Sequence, residues 1–375
     1  MKIGILTFVN AVNYGALFQM LSLWNYIKEN CNSEVEIINY DSKRIRSLYY
    51  PNLIKEVDTW REYIQLNYDA ILRIPKVARF KKIYRTISIS RRANRDDILH
   101  NVLKYQKIIV GSDQVWNSAV TLADDIYYLP LNKPEVAPRK FSYAASFGNN
   151  KSIQGYKTDV VENLKDFELI SVREKEASVY LKETYGIEAS TVVDPVFLNN
   201  KEFWESFAAY NVTKPGVVFV YTLMNYDSLY ECLEKYPDKA NKKFVIVSKN
   251  ARMDRIIRRR LSNMGVNYKI KSNMSPQDFL GYIKTAEMTI TDSFHATALS
   301  ILMQNRFICL YNNSAGNGNT NGRLNTLLSL VGLENRVYGN PQFSFTGNID
   351  YDSSMEQLHN AIDHSKIILN SIIKD

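Results

Sequence analysis

A chain of 375 residues with 45% hydrophobic and 12% aromatic content predicts an ordinary globular protein of about two domains with a large core. Its three cysteines are widely spaced and lack neighbouring histidines, so neither a disulfide framework nor a zinc site is supported. The sequence shows neither a membrane span nor a signal peptide, so a cytoplasmic protein is expected. A net charge of +8 and a pI near 9.1 suit phosphorylated ligands, an anionic membrane surface, nucleic acid or a plain solvated surface, without choosing among them.

The chain opens with a predicted βαβ unit, made of a strand over 3–8, a helix over 16–29 and a strand over 34–40. The first βα turn reads FVNAVNYGALFQ and holds only Gly15, so the glycine fingerprint of dinucleotide-binding proteins is absent. Asn13, Tyr14 and Gly15 at the start of the helix would offer polar groups to an anion or a sugar hydroxyl. A plain asparagine-rich turn explains the pattern equally well.

Residues 44–100 are rich in Arg, Lys and Tyr, and their apolar residues recur at near-helical spacing, which predicts a helical insertion in the first domain. The basic runs at 79–85 and 251–260 match no nucleic-acid motif, so no nucleic-acid partner is expected. Their spacing favours a solvated or membrane-facing helix surface. In the membrane-facing case the protein would attach peripherally to the inner membrane.

Four further strand-like runs end in polar residues, as strands that line the ligand crevice of an open α/β sheet do; they cover 107–113, 140–148, 167–174 and 189–198, with a helix near 153–166. In VGSDQVWN, Ser112 and Asp113 would stand at this crevice, with Trp116 as a sugar-stacking face. Asp113 could be a general base or a helix N-cap. Arg173 in SVREKEA could clamp a phosphate or carboxylate, or form a structural ion pair with a neighbouring glutamate.

Past residue 200 the alternation restarts, which predicts a second α/β domain. Its predicted strands cover 216–223, 242–249, 266–271, 288–294 and 307–312, and its predicted helices cover 226–236, 252–264 and 276–286. A polar loop follows at 312–322, and a last helix covers 354–373. We therefore expect an N-terminal domain over 1–199, a C-terminal domain over 200–350 and a C-terminal helix over 351–375 that packs back across the domains.

The stretch TITDSFHATALSIL (289–302) joins a β-type run to a helix-type run. Asp292 or Ser293 would cap the helix and place His295 in its first turn, where the macrodipole disfavours a cation. His295, unless it is structural, would then be neutral when empty or would face a bound anion. Arg323 also falls in the first turn of a predicted helix, and two such residues at one crevice indicate an anion between them.

Seven stretches in this order resemble the polysaccharide pyruvyl transferase family: IGILTFVNAVNYGALFQMLSLWNYI, VGSDQVWN, SYAASFG, SVREKEA, VVDPVFL, TDSFHATALSILMQNRFI and NGRLNTLLSLVGLENRV. They span roughly residues 3–337. The resemblance implies two Rossmann-like domains facing a cleft, as in GT-B glycosyltransferases. The N-terminal domain would bind the acceptor and the C-terminal domain the donor.

The resemblance also implies a reaction without metal or cofactor, in which phosphoenolpyruvate donates its pyruvyl group as a ketal to two hydroxyls of a sugar and releases phosphate. The acceptors are hexose-containing, often lipid-linked saccharides of bacterial capsules and exopolysaccharides. His295 matches the family's motif histidine and would act with Asp113 as the catalytic pair. The donor-binding residues would be Arg173, Ser293 and Arg323, and the acceptor-binding residues Asn13, Tyr14, Gly15, Ser112 and Trp116.

This chain departs from the family's pattern at one place: some members have Arg-Leu-His where it has Ser293, Phe294 and His295. Arg323 would take over the phosphoenolpyruvate contact of that arginine. Two alternatives follow from the same residues, a GT-B glycosyltransferase that uses a nucleotide sugar and a catalytically decayed saccharide-binding relative. The acceptor sugar, the hydroxyls that are bridged and the oligomeric state are left open.

Overall fold

The computed structural model describes residues 1–50, 59–131, 137–148, 153, 156, 159–210, 212–223, 226–248, 251–311 and 321–374, of which 62, 63, 65, 66, 69, 251 and 252 are described by their backbone alone. The chain divides into two compact units. The first comprises Met1–Tyr49, Lys82–Asn199 and Leu358–Asp375, and the second comprises Tyr50–Lys81 and Asn200–Gln357. Part of the predicted insertion therefore belongs to the second unit, although in sequence it interrupts the first.

The first part of the chain alternates strands with helices: β1 (Lys2–Leu6), α1 (Tyr14–Asn30), β2 (Glu34–Ile37), α2 (Lys43–Tyr49), α3 (Trp60–Tyr84), α4 (Arg95–Asn101), β3 (Lys107–Val110), α5 (Ser118–Thr121), β4 (Arg139–Ser142), α6 (Val160–Lys165), β5 (Phe167–Leu169), β6 (Ser171–Val172), α7 (Lys175–Tyr185) and β7 (Ser190–Thr191). Five of these strands form a parallel sheet in the order β2-β1-β3-β4-β5, and β6 pairs with β7. The central strand β3 is buried along its whole length, as its unbroken apolar run predicts.

The second part continues the alternation: α8 (Lys201–Phe207), β8 (Val217–Tyr221), α9 (Tyr226–Glu234), β9 (Lys243–Val247), α10 (Ala251–Ser262), β10 (Asn267–Ile270), α11 (Pro276–Thr285), β11 (Met288–Thr291), α12 (Phe294–Leu302), β12 (Phe307–Cys309), α13 (Gly322–Leu330) and α14 (Tyr351–Ile373). Its strands form a second parallel sheet in the order β10-β9-β8-β11-β12. Residues 312–320, most of the predicted polar loop, lie outside the described residues.

Each sheet has a point at which the direction of the strand order reverses. From β1 the first sheet grows to β2 on one side and to β3 on the other. The second sheet grows in the same way from β8, to β9 on one side and to β11 on the other. In open α/β sheets, ligands bind outside the carboxyl ends of the strands at such a switch point. We therefore expect ligands to bind beside the residues that follow β1 and β3 in the first sheet, and β8 and β11 in the second.

The insertion is not helical throughout, which corrects the prediction for 44–100. The segment after α3 runs extended along the edge of β2: the backbone N–H of Ile37 donates to Ser88, 2.8 Å away, and the N–H of Ser90 donates back to Ile37 at 2.9 Å. The segment hydrogen-bonds to the edge of β2, since a strand edge offers a row of free backbone donors and acceptors. Helical spacing alone could not reveal this pairing.

The two basic runs lie on helices whose apolar residues are buried in the protein. Phe80 of α3 and Ile257 of α10 are fully buried, whereas Lys82 and Arg258 are exposed. These helices therefore present solvated basic faces, and peripheral attachment to a membrane stays a prediction. Among the residues that the structure describes, no helix is both long enough and apolar enough to cross a bilayer.

Candidate active site

The switch point of the first sheet is flanked by Asn13 and Asp113. Asn13 caps α1, because its side-chain oxygen accepts from the backbone N–H of Ala16 at 3.2 Å. Its amide nitrogen donates to the hydroxyl of Tyr49, 3.4 Å away. Asp113 follows β3 in the left-handed backbone region, with φ of 70°, and its Oδ1 accepts from the N–H of Gln114 at 2.9 Å. The structure thus brings these two predicted site residues to neighbouring strand ends, and their roles toward a ligand stay predictions.

Two other residues predicted to bind the acceptor are buried instead. Ser112 is 0% exposed; its hydroxyl donates to the side chain of Gln19, and its carbonyl accepts from the hydroxyl of Thr7 at 3.0 Å. This buried network ties the ends of β1 and β3 together. Tyr14 is 1% exposed and its ring lies against Phe18. Both predictions are corrected, because the hydroxyl of Ser112 and the ring of Tyr14 are enclosed by protein atoms and are out of reach of a ligand. Gly15 is buried in the first turn of α1.

Trp116 is a core residue and not a sugar-stacking face. It is 0% exposed, and its ring stacks on Tyr128 with a centroid distance of 5.6 Å and an interplanar angle of 14°. Phe147 covers it further at 5.3 Å, and its indole N–H donates to the carbonyl of Tyr127 at 3.0 Å. Because its ring is fully buried and its one donor is used inside the protein, the prediction that it contacts a sugar is wrong.

Arg173 forms the ion pair that the sequence left open. Its guanidinium lies 2.6 Å from the carboxylate of Asp194 and 3.5 Å from that of Glu174, and its side chain is 3% exposed. Burial lowers the pKa of Arg173, but the carboxylates of Asp194, Glu174 and Asp113 more than offset this, so its pKa lies above its ordinary value. The geometry gives Arg173 a structural role beside the switch point. The predicted contact of Arg173 with the donor stays a prediction, and the observed ion pair does not support it.

The switch point of the second sheet is closed by Asp292. Its carboxylate follows β11 and accepts from the backbone N–H of Leu223 at 2.8 Å and from the hydroxyl of Thr222 at 3.2 Å, both of which follow β8. Asp292 therefore holds the two strand ends together. The cap of α12 is Ser293, whose hydroxyl oxygen accepts from the N–H of Ala296 at 3.4 Å and which is 5% exposed.

His295 lies in the first turn of α12, directly beside this switch point. Its ring is half-buried and meets Phe294 edge-on at 5.3 Å. Arg323 lies in the first turn of α13, which packs against α12, and is also half-buried. Both helix starts present positive partial charge, so two potential cations there are stabilised when an anion binds. The placement that the sequence predicted for these residues is confirmed, and their contact with a ligand stays a prediction.

Lys76, which was not predicted as a site residue, is brought by α3 to the carboxyl edge of the second sheet. On the same helix Arg79 donates to the carbonyl of Asn273, just past β10. Crowding by protein atoms lowers the pKa of Lys76 to about 8, against a smaller opposite effect of Asp254. The carboxylate of Asp254 accepts from the hydroxyl of Ser248, which follows β9, at 2.5 Å. Only tertiary packing reveals this placement, because in sequence Lys76 belongs to a basic helix.

Lys76 should therefore react with an acylating reagent as an amine that is already half-neutral at about pH 8, where ordinary lysines, with a pKa of about 10.4, are protonated. We expect its labelling by limiting acetic anhydride, read by peptide mass spectrometry, to level off above about pH 9. Lys82, an exposed residue of the same helix, is the control, and its labelling should still rise there. A parallel rise at both positions would contradict the lowered pKa.

Comparison with known proteins agrees with this geometry. A sequence model of the family described as polysaccharide pyruvyl transferase matches residues 13–314. No curated protein matches the chain. An alpha-glucosyltransferase in complex with UDP superposes with a TM-score of 0.51 at 11% identity, covering 100% of this chain and 95% of that one. A UDP-GlcNAc 2-epimerase from Neisseria meningitidis bound to UDP-GlcNAc gives 0.49 at 13% identity, with 100% of both chains covered. The two parallel sheets and the superposition with the glucosyltransferase confirm the predicted GT-B-like fold of two Rossmann-like units.

Proposed function

The chain belongs to the polysaccharide pyruvyl transferase family, and from this premise we propose that it transfers the pyruvyl group of phosphoenolpyruvate to two hydroxyls of a sugar as a ketal. The acceptor belongs to the biosynthesis of a bacterial surface polysaccharide. The observation that carries the proposal is the position of His295 in the first turn of α12, beside the switch point of the second sheet. Open α/β sheets bind their ligands at such points.

The reaction needs one acid, one base and an anion site. Protonation of C3 of the enol leaves C2 as an oxocarbenium-like centre, which the first sugar hydroxyl attacks with loss of its proton. Phosphate then departs by cleavage of its bond to C2, and the second hydroxyl attacks the same carbon. Two C–O bonds form and one breaks. Of the two hydroxyl protons released, one balances the proton taken up by C3 and the other leaves with phosphate.

His295 has the chemistry for the proton transfers, since an imidazole both gives and takes a proton near neutral pH. In the proposal Arg323 and the first turn of α12 hold the anionic groups of the donor, where the positive helix ends favour them. Ser293 supports this turn as its cap, in place of the arginine that some members carry. In the proposal Asp113 and Asn13, at the switch point of the first sheet, bind the acceptor.

Replacement of Arg323 by glutamine tests the donor assignment. A hydrogen bond to a charged group contributes about 1.5–3 kcal/mol, so the KM for phosphoenolpyruvate should rise about 10- to 100-fold. Arg258→Gln, at an exposed arginine of α10, is the matched control and should leave KM unchanged. An unchanged KM in Arg323→Gln would remove this residue from the donor site.

A nucleotide-sugar enzyme on the same fold would behave differently in a binding measurement. We expect phosphoenolpyruvate to raise the melting temperature of the protein, and uridine diphosphate and a panel of nucleotide sugars not to, because a ligand stabilises only the fold that binds it. Stabilisation by uridine diphosphate without any by phosphoenolpyruvate would contradict the proposal and favour a glycosyltransferase.

A further inference from the structure

Four polar side chains follow the carboxyl ends of the three neighbouring strands β1, β2 and β3. Asn13 follows β1, Arg44 and Tyr49 lie on α2 just past β2, and Asp113 follows β3. We call these four residues the first-unit polar cluster. The cluster lies at the switch point of the first sheet, the part of such a sheet that binds ligands. Arg44 and Tyr49 were not among the residues that the sequence singled out.

Arg44 differs from the other arginines around it. Arg46 and Arg92 both pair with Asp41, and Arg95 pairs with Asp124. Arg44 has no carboxylate partner among the described residues, and its Nε is buried there without an acceptor. A half-buried guanidinium in this state lacks the hydrogen bonds that would offset its loss of water, so an oxyanion that supplied them would bind favourably.

The hydroxyl of Tyr49 lies close enough to Asp113 and Arg44 for both charges to act on it. Burial raises the pKa of Tyr49, the amide of Asn13 lowers it, Asp113 raises it and Arg44 lowers it, and the pKa ends above its ordinary value. The hydroxyl therefore stays protonated. It accepts from Asn13 at 3.4 Å, while its own proton has no acceptor among the residues that the structure describes. It is available to donate to a ligand.

Asp113 supplies the opposite chemistry. Its Oδ1 accepts from the backbone N–H of Gln114, which leaves Oδ2 without a donor in the described part of the chain. A carboxylate oxygen in this state favours a ligand hydroxyl. It disfavours a ligand that is anionic throughout and has no hydroxyl, such as phosphoenolpyruvate. The cluster therefore favours a ligand that carries hydroxyls near Asp113 and a negative charge near Arg44 and Tyr49.

We propose that the first-unit polar cluster binds a saccharide that carries its own oxyanion, a phosphate ester or a carboxylate, with Arg44 and Tyr49 on the oxyanion and Asp113 on the sugar hydroxyls. This rests on the proposed function in that the saccharide is the acceptor of the transfer. The acceptor is then an anionic saccharide and not a neutral hexose. Charged recognition of this kind adds about tenfold or more to affinity.

Isothermal titration calorimetry at low salt tests the inference without requiring turnover. The ligands are hexose 1-phosphates, hexuronates, the corresponding neutral methyl hexosides and phosphoenolpyruvate. We expect wild-type protein to bind at least one of the two anionic classes about tenfold more tightly than its neutral counterpart, and Arg44→Gln to abolish this preference. The anionic class that wild-type protein prefers, phosphate ester or carboxylate, identifies the source of the oxyanion.

Two further variants keep the result interpretable. Arg46→Gln, on the same helix but paired with Asp41, should retain the preference. Arg44→Lys keeps the charge and should retain part of it, which separates binding from damage to α2. Equal affinities for charged and neutral sugars in wild type, or a loss of phosphoenolpyruvate binding in Arg44→Gln, would overturn the inference. Either result leaves the pyruvyl transfer itself standing, since that is measured by turnover.

Discussion

Replacement of His295 by glutamine is expected to lower kcat for pyruvyl transfer about 10²- to 10⁴-fold, the usual contribution of a positioned acid or base. Glutamine keeps the polarity and approximate size of the side chain but does not exchange a proton near neutral pH. The ring is half-buried at the start of α12, and Ser293 caps this helix through its own hydroxyl, so the helix should form normally in the variant. The measurement is steady-state phosphate release at saturating phosphoenolpyruvate, with the fold checked by circular dichroism.

His359→Gln is the matched control, because His359 is an exposed residue of α14. It should retain wild-type turnover. If His295→Gln kept kcat within a few-fold of wild type, His295 would be a binding residue at most. A rise in KM alone would show that it contacts phosphate equally in the ground state and the transition state.

Replacement of Asp194 by alanine is expected to lower the free energy of unfolding by about 3–5 kcal/mol, because it leaves the guanidinium of Arg173 buried without its nearest partner. The side chains of Asp194 and Arg173 are 0% and 3% exposed, so little water can take over. Asp194 also accepts from the N–H of Val196 at 3.1 Å, and this cap is lost as well. Urea unfolding followed by circular dichroism measures this loss in the free energy of unfolding.

Glu168→Ala supplies the contrast. Glu168 accepts hydrogen bonds from Nε and Nη2 of Arg139, but the two side chains are 42% and 44% exposed. An exposed pair contributes about 0–1 kcal/mol, so this variant should unfold almost as wild type does. Asp194→Asn, which keeps the cap but not the charge, should fall between the two. Equal losses in Asp194→Ala and Glu168→Ala would contradict a structural role for the buried pair.

The strands and helices were largely predictable, because parallel strands buried on both faces give unbroken apolar runs and the helices between them have clear starts. The helix predicted at 16–29 is observed at Tyr14–Asn30, and the one at 276–286 at Pro276–Thr285. Apolar runs do not predict strand pairing between segments that are distant in sequence. The segment after α3 pairs with the edge of β2, and no local period signals that contact.

The site was predictable as a set of strand ends but not as a set of side chains. The sequence placed Ser112, Asp113 and Trp116 near one strand end, but which of them points into the core depends on what lies behind it. Trp116 turned inward because aromatic rings from distant segments form a pocket for it. Arg44 was missed for the complementary reason, since it becomes distinctive only when the carboxylates around it are assigned to other arginines.

Pyruvyl transfer is tested most directly with phosphoenolpyruvate labelled with ¹³C in its three carbons, incubated with the protein and a panel of charged and neutral hexosides, lipid-linked and free. We expect one acceptor to gain the labelled mass of pyruvate less one water, with one phosphate released for each product, and His295→Gln to form this product about 10²- to 10⁴-fold more slowly. Phosphate release without labelled product, or transfer of a sugar from a nucleotide instead, would contradict it.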